Sequence, residues 1–366
     1  LPLDGPKGGM EHLIQIQTGG GKNMKVTRKI LVSVLLLTAI CLSVPAYAAQ
    51  TVKMALSINP DMSDPCYVMA VVFKNYVETR TGGKYAVEIY PSNVIGKERE
   101  RLELVKANGI QINVGSIGGL SNIYKPAILL NTPFMYSGDK VVHEVLESDF
   151  VKWLFDDMYK KTGIRSVMVF DIGGLSCFTN NVRPIATVAD MKGIKFRAMD
   201  DSQVEMFRAL GANAVPMAFA ELYTGLQTGV VEGQVNPINI TISSKFFEVQ
   251  KYITISRTIL GSQWVTVNEK WYDSLPPADR KVFDEAFHYG NVAAKGQSQI
   301  IQATGIKFLE DKKMTITPIS DENYKEFQDI GRTSVLEWSK TKIDPEIVGR
   351  FLATVEEIEK KMQGAQ

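Results

Sequence analysis

Histidine and cysteine are the scarce residues of this 366-residue chain, three of each, and neither sign of charge prevails: 41 Lys and Arg stand against 40 Asp and Glu. So few potential ligands over such a length exclude a His/Cys metal cage or a framework of disulfides. No basic block interleaved with aromatics occurs, and a net charge of +1 gives no electrostatic reason to bind nucleic acid. No metal, no cofactor and no nucleic acid are therefore expected. What is present is enough chain for two domains with cores of their own.

The first fifty residues read as a leader rather than as fold. Lys25, Arg28 and Lys29 follow Met24, Ile30 to Val44 run apolar apart from Ser33, Thr38 and Ser43, and Ala46-Tyr47-Ala48 closes the stretch. A basic region, an apolar region and a small-x-small site make a secretory signal peptide over 24–49, and the apolar run is shorter than the ~20 residues of a membrane anchor. Ile40 stands where a lipid-attachment cysteine at Cys41 needs a small residue. Residues 1–23 precede the natural start at Met24 and are expected to be an upstream, non-native segment. Their Gly19-Gly20-Gly21-Lys22 lacks the second half of a phosphate loop. Export leaves 36 basic and 38 acidic side chains, with His143, His288, Cys66 and Cys177. An oxidising compartment could pair the two thiols, or each could be buried alone.

From Thr51 onward strand-like and helix-like segments alternate. Lys84 to Tyr90 has period two and stops at Pro91, whereas Tyr67 to Glu78 places Val68, Val71, Val72 and Tyr76 at helical spacing before Thr81-Gly82-Gly83. Glu98 to Ala107 reads as a charged helix, and Ile164 to Asp171, Ile194 to Met199, Ala214 to Met217 and Glu232 to Val235 read as further strands. The alternation predicts an α/β architecture with largely parallel sheets. After Leu275-Pro276-Pro277 a helical pattern runs from about Ala278 to Lys312, roughly 50 Å if unbroken, although Gly290, Gly296 and Gly305 each weaken it. Two more helices, near Asp321 to Thr341 and Pro345 to Met362, close the chain.

Catalytic constellations are thin. His143 and His288 sit in helical patterns, no G-x-S-x-G elbow occurs, and pairs such as Glu98 with Glu100 or Asp200 with Asp201 read as solvated. No catalytic residue is assigned, and the chain is not expected to be an enzyme. Between Ile194 and Arg197 apolar and basic residues alternate, which taken alone reads as a strand with an exposed arginine. The strand ends at Met199-Asp200-Asp201, however, and strand ends are where α/β proteins bind ligands.

Three long motifs follow one another here. They are Asp190-Met191-Lys192-Gly193-Ile194-Lys195-Phe196-Arg197, then Gly211-Ala212 running through Pro216-Met217-Ala218-Phe219-Ala220-Glu221-Leu222-Tyr223, then Leu226-Gln227-Thr228-Gly229-Val230-Val231-Glu232-Gly233-Gln234-Val235-Asn236-Pro237. With Gly82-Gly83-Lys84, Tyr90-Pro91, Ile95-Gly96, Pro133-Phe134 and Leu275-Pro276 in order around them, the exported chain resembles the DctP-like solute-binding subunits of tripartite ATP-independent periplasmic (TRAP) transporters.

That resemblance implies a two-domain periplasmic-binding-protein fold with a ligand cleft between the domains and a long helix bridging both. Domain I would comprise 50–173 plus 262–299, and domain II 174–261 plus 300–366. It implies a periplasmic protein that closes on a small organic acid and hands it to membrane permease subunits. Arg197 matches the arginine that grips the ligand carboxylate, and a planar guanidinium can do so with two parallel hydrogen bonds. Asn236 matches a ligand-contacting asparagine able to donate from its amide. Phe219 matches an aromatic wall residue or packs in the core. Ser57, Glu98 and Ser116 align with polar pocket positions, and Trp264 either stacks on the ligand or belongs to the core. Where many relatives carry a second arginine this chain has Ser176, and a second buried carboxylate would lack a cation. A monocarboxylate is therefore expected. The alternative is a periplasmic enzyme or ligand sensor on the same fold.

Overall fold

A computed structural model describes residues 48–364, so the expected signal peptide lies almost wholly outside the described residues, as does the upstream segment. The chain opens with β1 (Gln50–Leu56), α1 (Pro65–Arg80), β2 (Tyr85–Tyr90), α2 (Glu98–Lys106), β3 (Ile112–Gly115) and a single turn, α3 (Ile117–Leu120). After a 3-10 segment at Lys125–Asn131 come α4 (Asp139–Leu146), α5 (Asp149–Thr162), β4 (Arg165–Leu175), β5 (Cys177–Asn180), β6 (Lys195–Ala198) and α6 (Asp201–Ala209). Next are β7 (Asn213–Pro216), α7 (Phe219–Thr228), β8 (Gly233–Asn236), α8 (Ile238–Ser243), β9 (Tyr252–Ile255), β10 (Leu260–Val267) and α9 (Glu269–Ser274). The last elements are α10 (Pro277–Asp311), β11 (Thr315–Pro318), α11 (Asp321–Lys342) and α12 (Pro345–Gly364).

Local chemistry sets the ends. Asp64 caps α1 by accepting from the Cys66 N–H at 2.9 Å, with Pro65 in the first turn where a missing N–H costs nothing. Pro277 starts α10 in the same way, and α10 then runs 35 residues without a break.

The strands form two sheets, ordered β2-β1-β3-β10-β4 and β11-β9-β5-β8-β6-β7. Both are mixed, which corrects the expectation of largely parallel sheets. The parallel pairs follow helical crossovers. Every antiparallel pair involves β5 or β10. Those two strands enter their sheet directly from the other sheet, without a helix to reverse direction. Gly174 belongs to the first of these passages, has φ +74°, and lies where a Cβ would stand 2.7 Å from Gln302 on α10. Asp171 beside it accepts from the N–H groups of Gly173 (3.0 Å) and Gly174 (2.7 Å) and from the Ser298 hydroxyl (3.1 Å) of α10. His143 Nε2 stands 3.5 Å from the same carboxylate, whereas His288 is exposed.

The first sheet packs on α1 and the first half of α10, where Phe73 stacks on Phe287 at 4.6 Å. The second is cored by Phe178, Phe196 and Phe207, the last two stacked at 4.7 Å. Ile347, Val348, Phe351 and Val355 of α12 pack with Phe150, Val151 and Leu154 of α5, which places the final helix beside the helical layer of the first sheet. Its apolar stripe follows a helical period, and α5 presents the matching stripe. Cys66 and Cys177 are free, buried thiols in separate core clusters, so the open alternatives resolve to unpaired cysteines.

Candidate ligand-binding site

A cavity of about 40 Å³ lies between the two sheets. That holds about three waters at ~10–15 Å³ each. It opens toward a space of about 420 Å³ that shares Glu98, Arg197, Met199 and Phe219 with it. Ser57, Glu98 and Ser116 line the cavity from the first-sheet side, and Ser176, Arg197, Phe219 and Asn236 from the second. Seven of the eight residues expected from sequence therefore meet around one space.

Arg197 sits on β6 and is 2% exposed, which corrects the reading of an exposed strand arginine. Its neighbour Phe196 faces the second-sheet core, so the period of two sends the guanidinium to the cleft. The Arg197 Nε donates to the Met217 carbonyl at 3.0 Å, its one side-chain hydrogen bond among the described residues, so both terminal nitrogens are left free. Burial pulls its pKa down to about 10, against the opposing pull of the Glu98 and Asp200 carboxylates, so it stays charged at neutral pH.

Glu98 opens α2 and is half-buried while Glu100 is exposed, so the two are not one solvated pair. Glu98 Oε1 accepts from the Ser116 N–H (2.7 Å) and the Ser57 hydroxyl (3.2 Å), and Oε2 from the Ser116 hydroxyl (2.7 Å). Both serines therefore hold the carboxylate in place. Asp200 is likewise half-buried, capping α6 through the Gln203 N–H at 3.1 Å, and burial raises its pKa.

Phe219 begins α7, half-buried, and also packs edge-on to Phe246 at 6.3 Å, so wall and core contact coexist. Ser176 is 4% exposed on the β4–β5 passage. Trp264 does not reach the cavity. It is 1% exposed and meets Phe155 edge-on at 5.5 Å, because its position on β10 faces the helical layer of α5. Ligand stacking by Trp264 is corrected to core packing.

Sequence reasoning missed Arg101, which is fully buried behind the site. It donates to Asn113 (2.8 Å), Ser57 (2.8 Å), the Gly96 carbonyl (3.1 Å) and Asn93, so it fixes Ser57 and through it Glu98. One signal was available: Arg101 is four residues before buried Val105 and so on the buried face of α2. Asn131, Gln203, Ser262 and Gln263 also line the cavity without any sequence signal we could read.

Comparison with known proteins agrees with this geometry. Residues 56–341 match the DctP family, described as bacterial extracellular solute-binding protein, family 7. The C4-dicarboxylate-binding periplasmic protein DctP of Rhodobacter capsulatus is 31% identical over 283 residues, 75% of this chain and 84% of that protein. A TRAP periplasmic solute-binding protein from Bordetella, with density assigned to pantoate, superposes with a TM-score of 0.76 at 26% identity, covering 83% of this chain and 99% of that one. Another from Polaromonas, bound to D-erythronate, gives 0.76 at 26% identity, covering 83% and 98%. Among the described residues no helix is long and apolar enough to cross a membrane. The two-sheet fold, the cleft with its free guanidinium fork and the match across most of the chain all agree: this protein belongs to the DctP family of TRAP solute-binding proteins.

Proposed function

We propose that the protein captures a small organic monocarboxylate in the periplasm by closing its two bodies on it, and delivers it to TRAP permease subunits without changing it chemically. The observation that carries the ligand class is the charge inventory of the cavity: Arg197 is its one cation and Glu98 its one carboxylate. A fork with Nε tethered and both terminal nitrogens free suits one carboxylate held bidentately. A second ligand carboxylate would meet Glu98 with no cation to offset its desolvation. The relatives bound to pantoate and D-erythronate carry ligands with one carboxylate each. The C4-dicarboxylate named for the Rhodobacter relative is not expected to bind here.

A thermal-shift screen over monocarboxylates and dicarboxylates tests this. At a thousandfold excess over Kd a ligand of the closed form adds about 4 kcal/mol of stability, a rise of several degrees. Arg197→Ala should weaken the best hit by about 100-fold or more in calorimetric titration. A hit that keeps full affinity in that variant, or a panel in which only dicarboxylates bind, would sink the reading. Recovery of the ligand intact from the denatured complex separates binding from turnover.

A further inference from the structure

Asn236 does not stand alone at the cavity. It ends a chain of buried polar side chains that runs back through Gln234 and Thr179 to Gln250, the last three 0–3% exposed. Gln234 and Thr179 are directly opposite on β8 and β5, and Gln234 and Asn236 are two apart on β8, so the sheet brings them together. The direction of every bond in the chain is set by the backbone. Gln250 Nε2 donates to the carbonyls of Val249 (2.9 Å) and Glu232 (3.3 Å). Carbonyls only accept, so the Gln250 amide cannot be reversed, and its Oε1 must face Thr179. The single Thr179 hydroxyl proton goes to that oxygen at 2.9 Å. Thr179 Oγ1 is left to accept from Gln234 Nε2 at 2.8 Å, and Gln234 Oε1 is left to accept from Asn236 Nδ2.

We propose that Gln250, Thr179 and Gln234 are positioning residues that lock the Asn236 amide with one N–H turned inward, so that Asn236 offers Oδ1, beside its second N–H, to the ligand and selects acids bearing a hydroxyl or N–H donor. The side-chain hydrogen bond that Asn236 makes among the described residues goes through Nδ2 and leaves Oδ1 uncommitted, and Asn236 lines the cavity. Sequence alone suggested only the donating role of that amide. The Glu98 side chain across the cavity is a second acceptor. One guanidinium fork faced by two acceptors describes a hydroxy or amino monocarboxylate and disfavours a purely hydrocarbon acid. The proposal rests on the monocarboxylate reading for its ligand class, but its chain of hydrogen bonds is testable without any ligand.

Two measurements separate the parts. In the ligand-free protein, the side-chain amide of Asn236, assigned by its disappearance in Asn236→Asp, should show one N–H proton slowed in solvent exchange. Thr179→Val keeps shape and strand preference while removing the relay, and should abolish that slowing; Gln250→Met does the same from the other end should Thr179→Val not fold. Equal, fast exchange of both protons in the wild type overturns the positioning chain. The second measurement titrates D-erythronate and butanoate, which differ only in hydroxyls. The wild type should prefer erythronate by at least about 100-fold, because a site built for a hydroxyl rejects the analogue lacking it. In Thr179→Val the preference should fall about tenfold, with butanoate affinity held by Arg197 unchanged. Equal loss for both acids would reveal a merely structural role and overturn the selection claim. Binding of neither acid to a wild type whose Asn236 proton is slowed would overturn the ligand class while upholding the positioning chain.

Discussion

Arg101 and Arg197 are among the largest side chains the fold buries fully, and they use their donors in opposite ways. Arg101 spends its donors on protein acceptors, whereas Arg197 commits only Nε and holds its fork in reserve. Replacing Arg101 by methionine, close in length, leaves the polar groups of Asn113, Asn93 and Ser57 buried without a donor. Loss of about 3–5 kcal/mol of stability is expected, read as a lower urea midpoint at unchanged slope. The two arginines also differ in how legible they were. Arg197 stood in a long motif whose role a resemblance supplies, although its burial contradicted the local pattern. Arg101 sat among four charged neighbours in Glu98-Arg99-Glu100-Arg101-Leu102-Glu103, where composition argues for solvent. Only its spacing from Val105 separates it from them.

At the scale of the element, helices were read closely and strand directions were not. Helix type and length follow from local spacing, so the pattern over Ala278 to Lys312 became α10 over Pro277–Asp311. Strand direction depends on which sheet the chain has just left, which no local window records. The three glycines of α10 illustrate the same limit. In sequence each costs about 1 kcal/mol, yet their surroundings differ. A Cβ at Gly305 would lie 2.5 Å from Ile238 Cγ2 and one at Gly290 3.1 Å from the Met69 carbonyl, while Gly296 faces open space. Gly296→Ala should therefore stabilise by about 0.5–1 kcal/mol. Gly305→Ala should instead destabilise by about 1–3 kcal/mol through overpacking. Chemical denaturation of the two variants side by side gives opposite signs if α10 is seated as described.

For the whole molecule, Asp64 joins parts far apart in sequence. It caps α1 and accepts from Ser243 (2.9 Å) and Asn239 (3.5 Å) on α8. Burial outweighs those hydrogen bonds and raises its pKa to about 6. The folded pKa thus exceeds the unfolded value, so folding takes up a proton between about pH 4 and 6, and stability falls as pH rises through that window. Asp64→Asn retains an N-cap and removes the titration. Relative to the variant, the wild type should lose about 2 kcal/mol between pH 4 and pH 7. Matching pH profiles for the two proteins would contradict the burial of an ionisable group at this junction. The two-sheet fold was legible from the resemblance, but the seat of α12 on α5 was not, because its apolar stripe fits any complementary helical surface.

The glycine contacts of α10 have a mechanical consequence. Gly290 is pressed on Met69 of the first-sheet body and Gly305 on Ile238 of the second, with about 22 Å of uninterrupted helix between these two pins. Sliding one body along the rod, or rolling it around the rod, would drive a side chain into backbone at one pin. Bending the span between them disturbs neither. An opening motion that keeps both contacts is therefore a bend of α10 between Gly290 and Gly305.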